Sequence, residues 1–125
     1  MIRTLLLVGV GGFLGSVSRY LVGGWMHRAL GTGFPYGTLT VNVLGCLAIG
    51  LLGGLAETRQ MITPEARLFL FIGLLGGFTT FSSFGYETLA FARDGEFVIA
   101  GLNVILQMGL GLGAVWLGIL ASRLL

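Results

Sequence analysis

Residues 76–87, GGFTTFSSFGYE, combine groups that rarely occur together inside an apolar segment. They include five hydroxyl side chains, three phenylalanines and one carboxylate. Paired glycines weaken a helix through their conformational entropy, and clustered hydroxyls weaken it by competing for backbone groups. We therefore predict a helix break near the centre of the surrounding apolar segment. The alternative is an unbroken helix whose hydroxyls donate to carbonyls of the preceding turn.

A break at this place would release backbone groups that could bind an ion. Freed carbonyl oxygens suit a hard cation such as sodium, whereas freed N–H groups suit an anion. Phe81 and Phe84 are three residues apart and therefore share a helix face, with Thr80 beside them. Phenyl rings at this spacing commonly face lipid or a protein core. Their positive edges can also contact an anion, and they bind it less tightly than a full positive charge would.

Further polar side chains lie within the other apolar segments. Asn42 lies in the second, and Asn103 and Gln107 lie four residues apart in the fourth. These carboxamides must either bond between helices or line a wet path. Two ionisable residues, Arg19 and Glu87, also lie inside apolar segments. Glu87 could take up a proton, anchor helix packing in its protonated form, or pair with Arg19.

Enzymatic and nucleic-acid-binding sites are not indicated. The only histidine, His27, is predicted to lie in a loop, and the only cysteine, Cys46, is expected to act as a small buried hydrophobe. No apolar segment holds the paired carboxylates that acid–base catalysis needs. Seven arginines and no lysine are scattered singly, so there is no basic patch for a nucleic acid.

Composition identifies the elements that must position these residues. The chain has 125 residues, of which 55% are hydrophobic and only 10% charged, and its mean hydropathy is +0.97. It divides into four apolar segments, about residues 4–25, 38–56, 68–92 and 97–121, each near the length that crosses a bilayer. The first is too long for a signal peptide and lacks a cleavage site, so we expect it to be retained. We predict an all-α membrane protein with one domain, residues 1–125, of four transmembrane helices, the third broken near the midplane.

Glycine accounts for 23 of the 125 residues, and each predicted span carries a pair spaced four apart. The pairs are Gly11 with Gly15, Gly50 with Gly54, Gly73 with Gly77, and Gly109 with Gly113. Small residues at this spacing let helix backbones approach closely inside a membrane. We expect tightly packed helices.

The arginines give only a weak orientation signal. With a cytoplasmic N-terminus, four arginines would lie on that side and two or three on the other. Such a chain could insert both ways, and two copies in opposite orientations could form an antiparallel dimer about a two-fold axis in the membrane plane.

The stretch at residues 76–87, together with GGFLGSVSRY at 11–20 and GTLTVNVLG at 37–45, resembles the bacterial Fluc (CrcB) fluoride channel family over the whole chain. The resemblance implies a dual-topology antiparallel homodimer in the lipid of the bacterial inner membrane. It also implies two pores that passively export fluoride that has entered the cell as HF.

The resemblance extends to individual positions. It implies that Phe81 and Phe84 flank the ion in a fluoride pore, that Asn42 is the pore asparagine, and that Asn103 and Gln107 belong to a polar track on the fourth helix. From their hydroxyl groups, we predict that Thr80 and Ser83 line the same pore. Backbone carbonyls of Gly76 and Thr79 from both subunits would hold a structural sodium ion at the dimer centre. Arg19 and Glu87 match the family's first-helix arginine and third-helix glutamate, with a role in a vestibule or in helix packing. Gly111 stands where a serine is common in the family, which leaves the end of the polar track undefined.

Two other functions share some of these features. A small proton-coupled multidrug exporter also has four helices and dual topology, but it requires a membrane-embedded glutamate in its first helix. That helix has no acidic residue here, so Glu87 would have to substitute. The remaining alternative is an assembly subunit of a larger membrane complex.

Overall fold

A computed structural model describes residues 1–125, and its secondary structure is entirely helical. The helices are α1 (Ile2–Leu30), α2 (Tyr36–Arg59), α3 (residues 64–78), α4 (Phe81–Arg93) and α5 (Phe97–Leu124). Because α3 and α4 follow each other along one segment, Pro64–Arg93, the chain has four segments long and apolar enough to cross a membrane. An all-helical protein with four such segments is what the sequence predicts.

The helices extend beyond the predicted apolar segments. α1 continues to Leu30, so His27 lies in its last turn and the prediction of a loop at this residue was wrong. Nothing before Gly31 interrupts the helix. Gly31 has φ 82°, a conformation that glycine adopts without steric cost, and its N–H donates to the carbonyl of His27 at 2.9 Å.

The third segment changes its helical pitch before it breaks. α3 starts after Thr63, whose Oγ1 accepts a hydrogen bond from the N–H of Ala66 at 3.2 Å, as expected for an N-cap. The stretch Leu68–Leu75 is a π-helix, and at its end the N–H of Gly76 donates to the carbonyl of Phe71, five residues earlier. π-helical turns are uncommon and occur frequently near functional sites.

Glycine pairs bring the helices together where α1 crosses α3. A Cβ atom on Gly11 would lie 2.6 Å from the carbonyl oxygen of Phe69 and 3.0 Å from the Cα of Gly73. A Cβ on Gly77 would lie 2.6 Å from the carbonyl oxygen of Gly12. The backbones of α1 and α3 are therefore too close for any side chain at these positions, as the spacing predicts.

The glycines of α5 pack differently from the prediction. α2 and α5 lie side by side along most of their length, yet Gly109 and Gly113 have no neighbouring atom within 4 Å of an added Cβ. Gly118 makes the close approach instead, because a Cβ there would lie 2.6 Å from the backbone nitrogen of Leu51. The rotation of α5 turns Gly111, Ala114 and Gly118 inward and turns Gly109 outward.

Large apolar side chains cover the outside of the helices. Phe13, Leu21, Ile105 and Leu112 each expose 60% or more of their surface. In water such a surface would drive aggregation, whereas in a bilayer it meets hydrocarbon. The chain is therefore a multi-pass membrane protein.

Candidate functional site

The third segment is broken halfway along its length. Thr79 (φ −87°, ψ 158°) and Thr80 (φ −151°, ψ 111°) are extended and separate α3 from α4. The Thr79 hydroxyl donates to the carbonyl of Leu75 at 3.0 Å, which is the back-bonding that the alternative of an unbroken helix assumed. The helix nevertheless ends at Phe78, and the predicted break of the third segment is present.

Asn42 of α2 supplies the hydrogen bonds that the break removes. Its Oδ1 accepts from the backbone N–H of Thr80 at 2.8 Å, and its Nδ2 donates to the carbonyl of the same residue at 3.0 Å. In an unbroken helix that N–H would donate to the carbonyl of Gly76. Backbone polar groups at membrane depth must find protein partners, and one side chain here provides both.

The carboxamides of α5 are brought to the same place. The second Nδ2 hydrogen of Asn42 donates to Oε1 of Gln107 at 3.1 Å. Asn103 is fully buried and donates to Oγ1 of Thr88 at 2.9 Å. Gln107 is only 7% exposed, and its Nε2 has no hydrogen-bond partner. Gln107 therefore has a free N–H donor. Asn42 has none, because both of its Nδ2 hydrogens are already bonded.

The hydroxyls that follow the break cap the start of α4. Oγ1 of Thr80 accepts from the N–H of Ser83 at 3.2 Å and donates to Oγ of Ser83 at 3.0 Å. Oγ of Ser82 also lies 3.3 Å from Oγ1 of Thr80. These contacts fix the first turn of α4 and place several neutral hydroxyls beside the break.

The two phenylalanines differ in exposure although they lie on one helix face. Their ring centroids are 5.4 Å apart with an interplanar angle of 59°. Phe84 is buried, with 8% of its surface exposed, whereas Phe81 is 76% exposed and points out of the single chain. The sequence predicted their adjacency but gave no indication of this difference, which depends on the rotation of α4.

Two cavities border the break. The outer cavity, of about 580 Å³, is bordered by Arg19, His27 and Glu87 as well as by hydroxyl side chains. The inner cavity, of about 360 Å³, contains no charged residue among those that line it. Its polar and aromatic lining includes Asn42, Cys46, Thr79, Thr80, Phe81, Phe84 and Gln107. Thr80 lines both cavities.

Arg19 and Glu87 take different partners. Nη1 of Arg19 donates to the carbonyl of Thr79 at 3.3 Å, and Oε1 of Glu87 accepts from the hydroxyl of Thr38 at 2.8 Å. The second carboxylate oxygen, Oε2, is buried and has no partner. The sequence left three roles open for Glu87. One of them, a direct pair with Arg19, is not formed.

The carbonyls predicted to hold sodium fit a hard cation. The carbonyl oxygen of Gly76 loses its helical partner, because the N–H of Thr80 bonds to Asn42 instead. The carbonyl of Thr79 accepts one bond from Arg19 and keeps its second lone pair. Oxygen donors of this kind are those that hard cations prefer.

Comparisons with known proteins identify the family of this chain. A family model described as "CrcB-like protein, Camphor Resistance (CrcB)" matches residues 6–119. Proteins named fluoride-specific ion channel FluC from Geobacter metallireducens and Geobacter sulfurreducens are 46% and 48% identical over 120 residues, covering 96% of this chain and 97% of each relative. A protein of the same name from Chlorobium chlorochromatii is 50% identical over 119 residues, covering 95% of this chain and 92% of the relative. The chain therefore belongs to the CrcB-like family, also known as the Fluc fluoride channel family.

Proposed function

We propose that this chain forms a fluoride-selective channel through which fluoride leaves the cytoplasm passively. The observation that carries the proposal is that Thr80, at the break, lines two cavities, one with charged residues at its border and one lined only by neutral groups. The names of the relatives identify fluoride as the ion that those proteins conduct.

The physical chemistry of fluoride explains why such a lining would suit it. Fluoride is small and strongly hydrated, so a pathway must replace the lost water with several donors. A full positive charge would bind the ion too tightly to release it. Gln107 offers a free amide donor, Ser83 offers a hydroxyl that accepts from Thr80 and keeps its own hydrogen, and Phe84 offers a ring edge.

In the proposed channel, Arg19 has an electrostatic role and Asn42 a structural one. Arg19 borders the outer cavity, where its positive charge would raise the local concentration of anions before they reach the neutral section. Asn42 holds the backbone of Thr80 open and orients Gln107. The track of α5 would then continue through Asn103, which contacts Thr88 of α4.

The same proposal includes an antiparallel homodimer with two pores in the bacterial inner membrane. Phe81 is 76% exposed at the edge of the inner cavity, where a second copy would cover it. The weak arginine bias allows insertion in both orientations. Two carbonyls from one chain are too few for a hard cation, so sodium would bind between the Gly76 and Thr79 carbonyls of both copies. It would supply a fixed positive charge at the dimer centre.

A proton-coupled drug exporter is not favoured by these observations. α1 has no acidic residue, and Glu87 is engaged with Thr38.

The matched relatives carry the name of an ion channel, and channels are not enzymes.

Fluoride release from proteoliposomes tests the proposal. Vesicles that contain the purified protein and potassium fluoride are diluted into fluoride-free buffer, and valinomycin starts the efflux that a fluoride electrode records. We expect rapid release with the wild type, and slower release with Phe81→Ile and Phe84→Ile although dimers still form in size-exclusion chromatography. If both variants conduct normally, the role of the rings is wrong. If the wild type releases no fluoride, the channel assignment itself fails.

A further inference from the structure

The only cysteine lies beside the neutral section of the proposed pathway. Cys46 follows Asn42 by one turn of α2 and lines the inner cavity. Its Sγ lies 3.6 Å from the position that a Cβ on Gly111 would take, and Gly111 follows Gln107 by one turn of α5. The two helices are in register here, with Asn42 against Gln107 and Cys46 against Gly111. The thiol borders the space that a side chain at residue 111 would occupy.

A second observation at this cavity is a buried polar group without a partner in the protein. Gln107 lines it, is 93% buried, and has an Nε2 group without a partner in the protein. A buried amide donor without a protein partner requires a water molecule or an ion. Beyond Gln107, the buried face of α5 carries Gly111, Ala114 and Gly118, which have no side-chain donor, and then Ser122, whose hydroxyl donates to the carbonyl of Ile119. Cys46 is therefore the next donor along the seam between α2 and α5.

We propose that the thiol of Cys46 continues the line of neutral donors past Gln107 and contacts the anion in the inner cavity. This inference rests on the proposed fluoride function. A thiol is a weak and uncharged donor, so it supports passage without binding the ion tightly. It follows that a small group attached to this sulfur blocks the pathway.

Methyl methanethiosulfonate is the probe for this placement because it is small and neutral. The thiolate of Cys46 attacks the sulfenyl sulfur of the reagent and forms a mixed disulfide that carries a methyl group. The sulfur–sulfur bond of the reagent breaks, methanesulfinate leaves with the electron pair, and water takes the thiol proton. Mass spectrometry of the intact protein measures the reaction, and the fluoride electrode measures efflux from the same proteoliposomes.

Variants distinguish a thiol that contacts the ion from a thiol that is merely present elsewhere on α2. We expect Cys46→Ala to conduct about threefold more slowly, as for loss of one weak hydrogen bond, and to resist the reagent. Adding Gly111→Ser to Cys46→Ala should restore flux, because a hydroxyl then enters the vacated space. The matched control is Leu44→Cys in the Cys46→Ala background, since Leu44 is 46% exposed on α2 and does not line the inner cavity. This cysteine should react without any loss of flux.

The outcomes distinguish this inference from the proposed function. Modification of wild-type Cys46 with loss of fluoride efflux, together with an unaffected Leu44→Cys control, supports the inference. Efflux that persists after complete modification overturns it, and so does a thiol that stays unreacted while the protein conducts. A wild-type protein that conducts no fluoride before the reagent is added indicates failure of the proposed function instead.

Discussion

At the scale of single residues, Asn42 shows how one amide stabilises a broken helix in a membrane. Its oxygen and nitrogen bond the N–H and carbonyl of Thr80, and its remaining hydrogen bonds Gln107. The sequence predicted a polar role for Asn42 in the pathway. It did not predict the pairing with the Thr80 backbone, because that depends on how α2 packs against residues 38 positions away.

Replacement of Asn42 should therefore reduce stability as well as conduction. Asn42→Ala leaves the buried N–H and carbonyl of Thr80 without partners, and we expect the free energy of unfolding to fall by about 2–4 kcal/mol. Denaturant unfolding in detergent micelles, followed by circular dichroism, measures this change. Leu44→Ala on the exposed face of α2 serves as the control and should cost less. Equal stability of Asn42→Ala and the wild type would show that the amide does not hold the break.

Gln107 should affect conduction more than stability. Gln107→Met keeps the size of the side chain but removes the free Nε2 donor, and we expect fluoride efflux to slow by about tenfold. The loss of stability should be smaller than for Asn42→Ala, because only one acceptor for Asn42 is lost. Efflux at the wild-type rate would contradict the assignment of Gln107 as an ion donor.

At the scale of helices, features that depend on amino-acid composition could be predicted from the sequence. Features that depend on the rotation of a helix about its own axis could not. The four segments follow from their length and hydropathy, and the break follows from the Gly-Gly and Thr-Thr pairs before α4. The π-helix at Leu68–Leu75 has no such signal, because its residues would equally form an α-helix. The spacing of Gly109 and Gly113 predicted packing, but the rotation of α5 brings Gly118 to the contact instead.

The close crossing of α1 and α3 leads to a paired prediction on one helix. Gly11→Ala places a methyl group 2.6 Å from the carbonyl of Phe69, and we expect a loss of about 1–3 kcal/mol in the free energy of unfolding. Gly9→Ala has no atom within 4 Å of the added group and should change stability by less than about 1 kcal/mol. Thermal unfolding of both variants in detergent tests the contrast. Similar values for the two would show that α1 and α3 are not in close contact there.

At the scale of the whole molecule, one chain leaves the proposed pathway incomplete. Only 18 of 125 residues are buried, and the exposed ring of Phe81 lies beside the inner cavity. A second copy in the opposite orientation would cover this edge and complete the set of carbonyls at the break. The sequence indicated this arrangement only through its weak arginine bias and its family resemblance, since neither composition nor periodicity encodes a partner.

The proposed dual topology predicts equal labelling from both sides of the membrane. Thr32 lies exposed in the loop between α1 and α2, so Thr32→Cys in the Cys46→Ala background provides one accessible thiol. An impermeant maleimide added to intact cells should label about half of the molecules, and the rest should react after permeabilisation. Labelling of all or of none from outside would mean a single orientation, and an antiparallel dimer would then be excluded.

In the proposed channel, neutral donors around a broken helix pass fluoride and reject a larger halide. Proteoliposomes loaded with equal concentrations of potassium fluoride and potassium chloride allow both anions to be followed with ion-selective electrodes in one experiment after valinomycin is added. We predict that fluoride leaves rapidly while chloride stays inside the vesicles. Release of both anions at the same rate, or retention of both, would contradict the account.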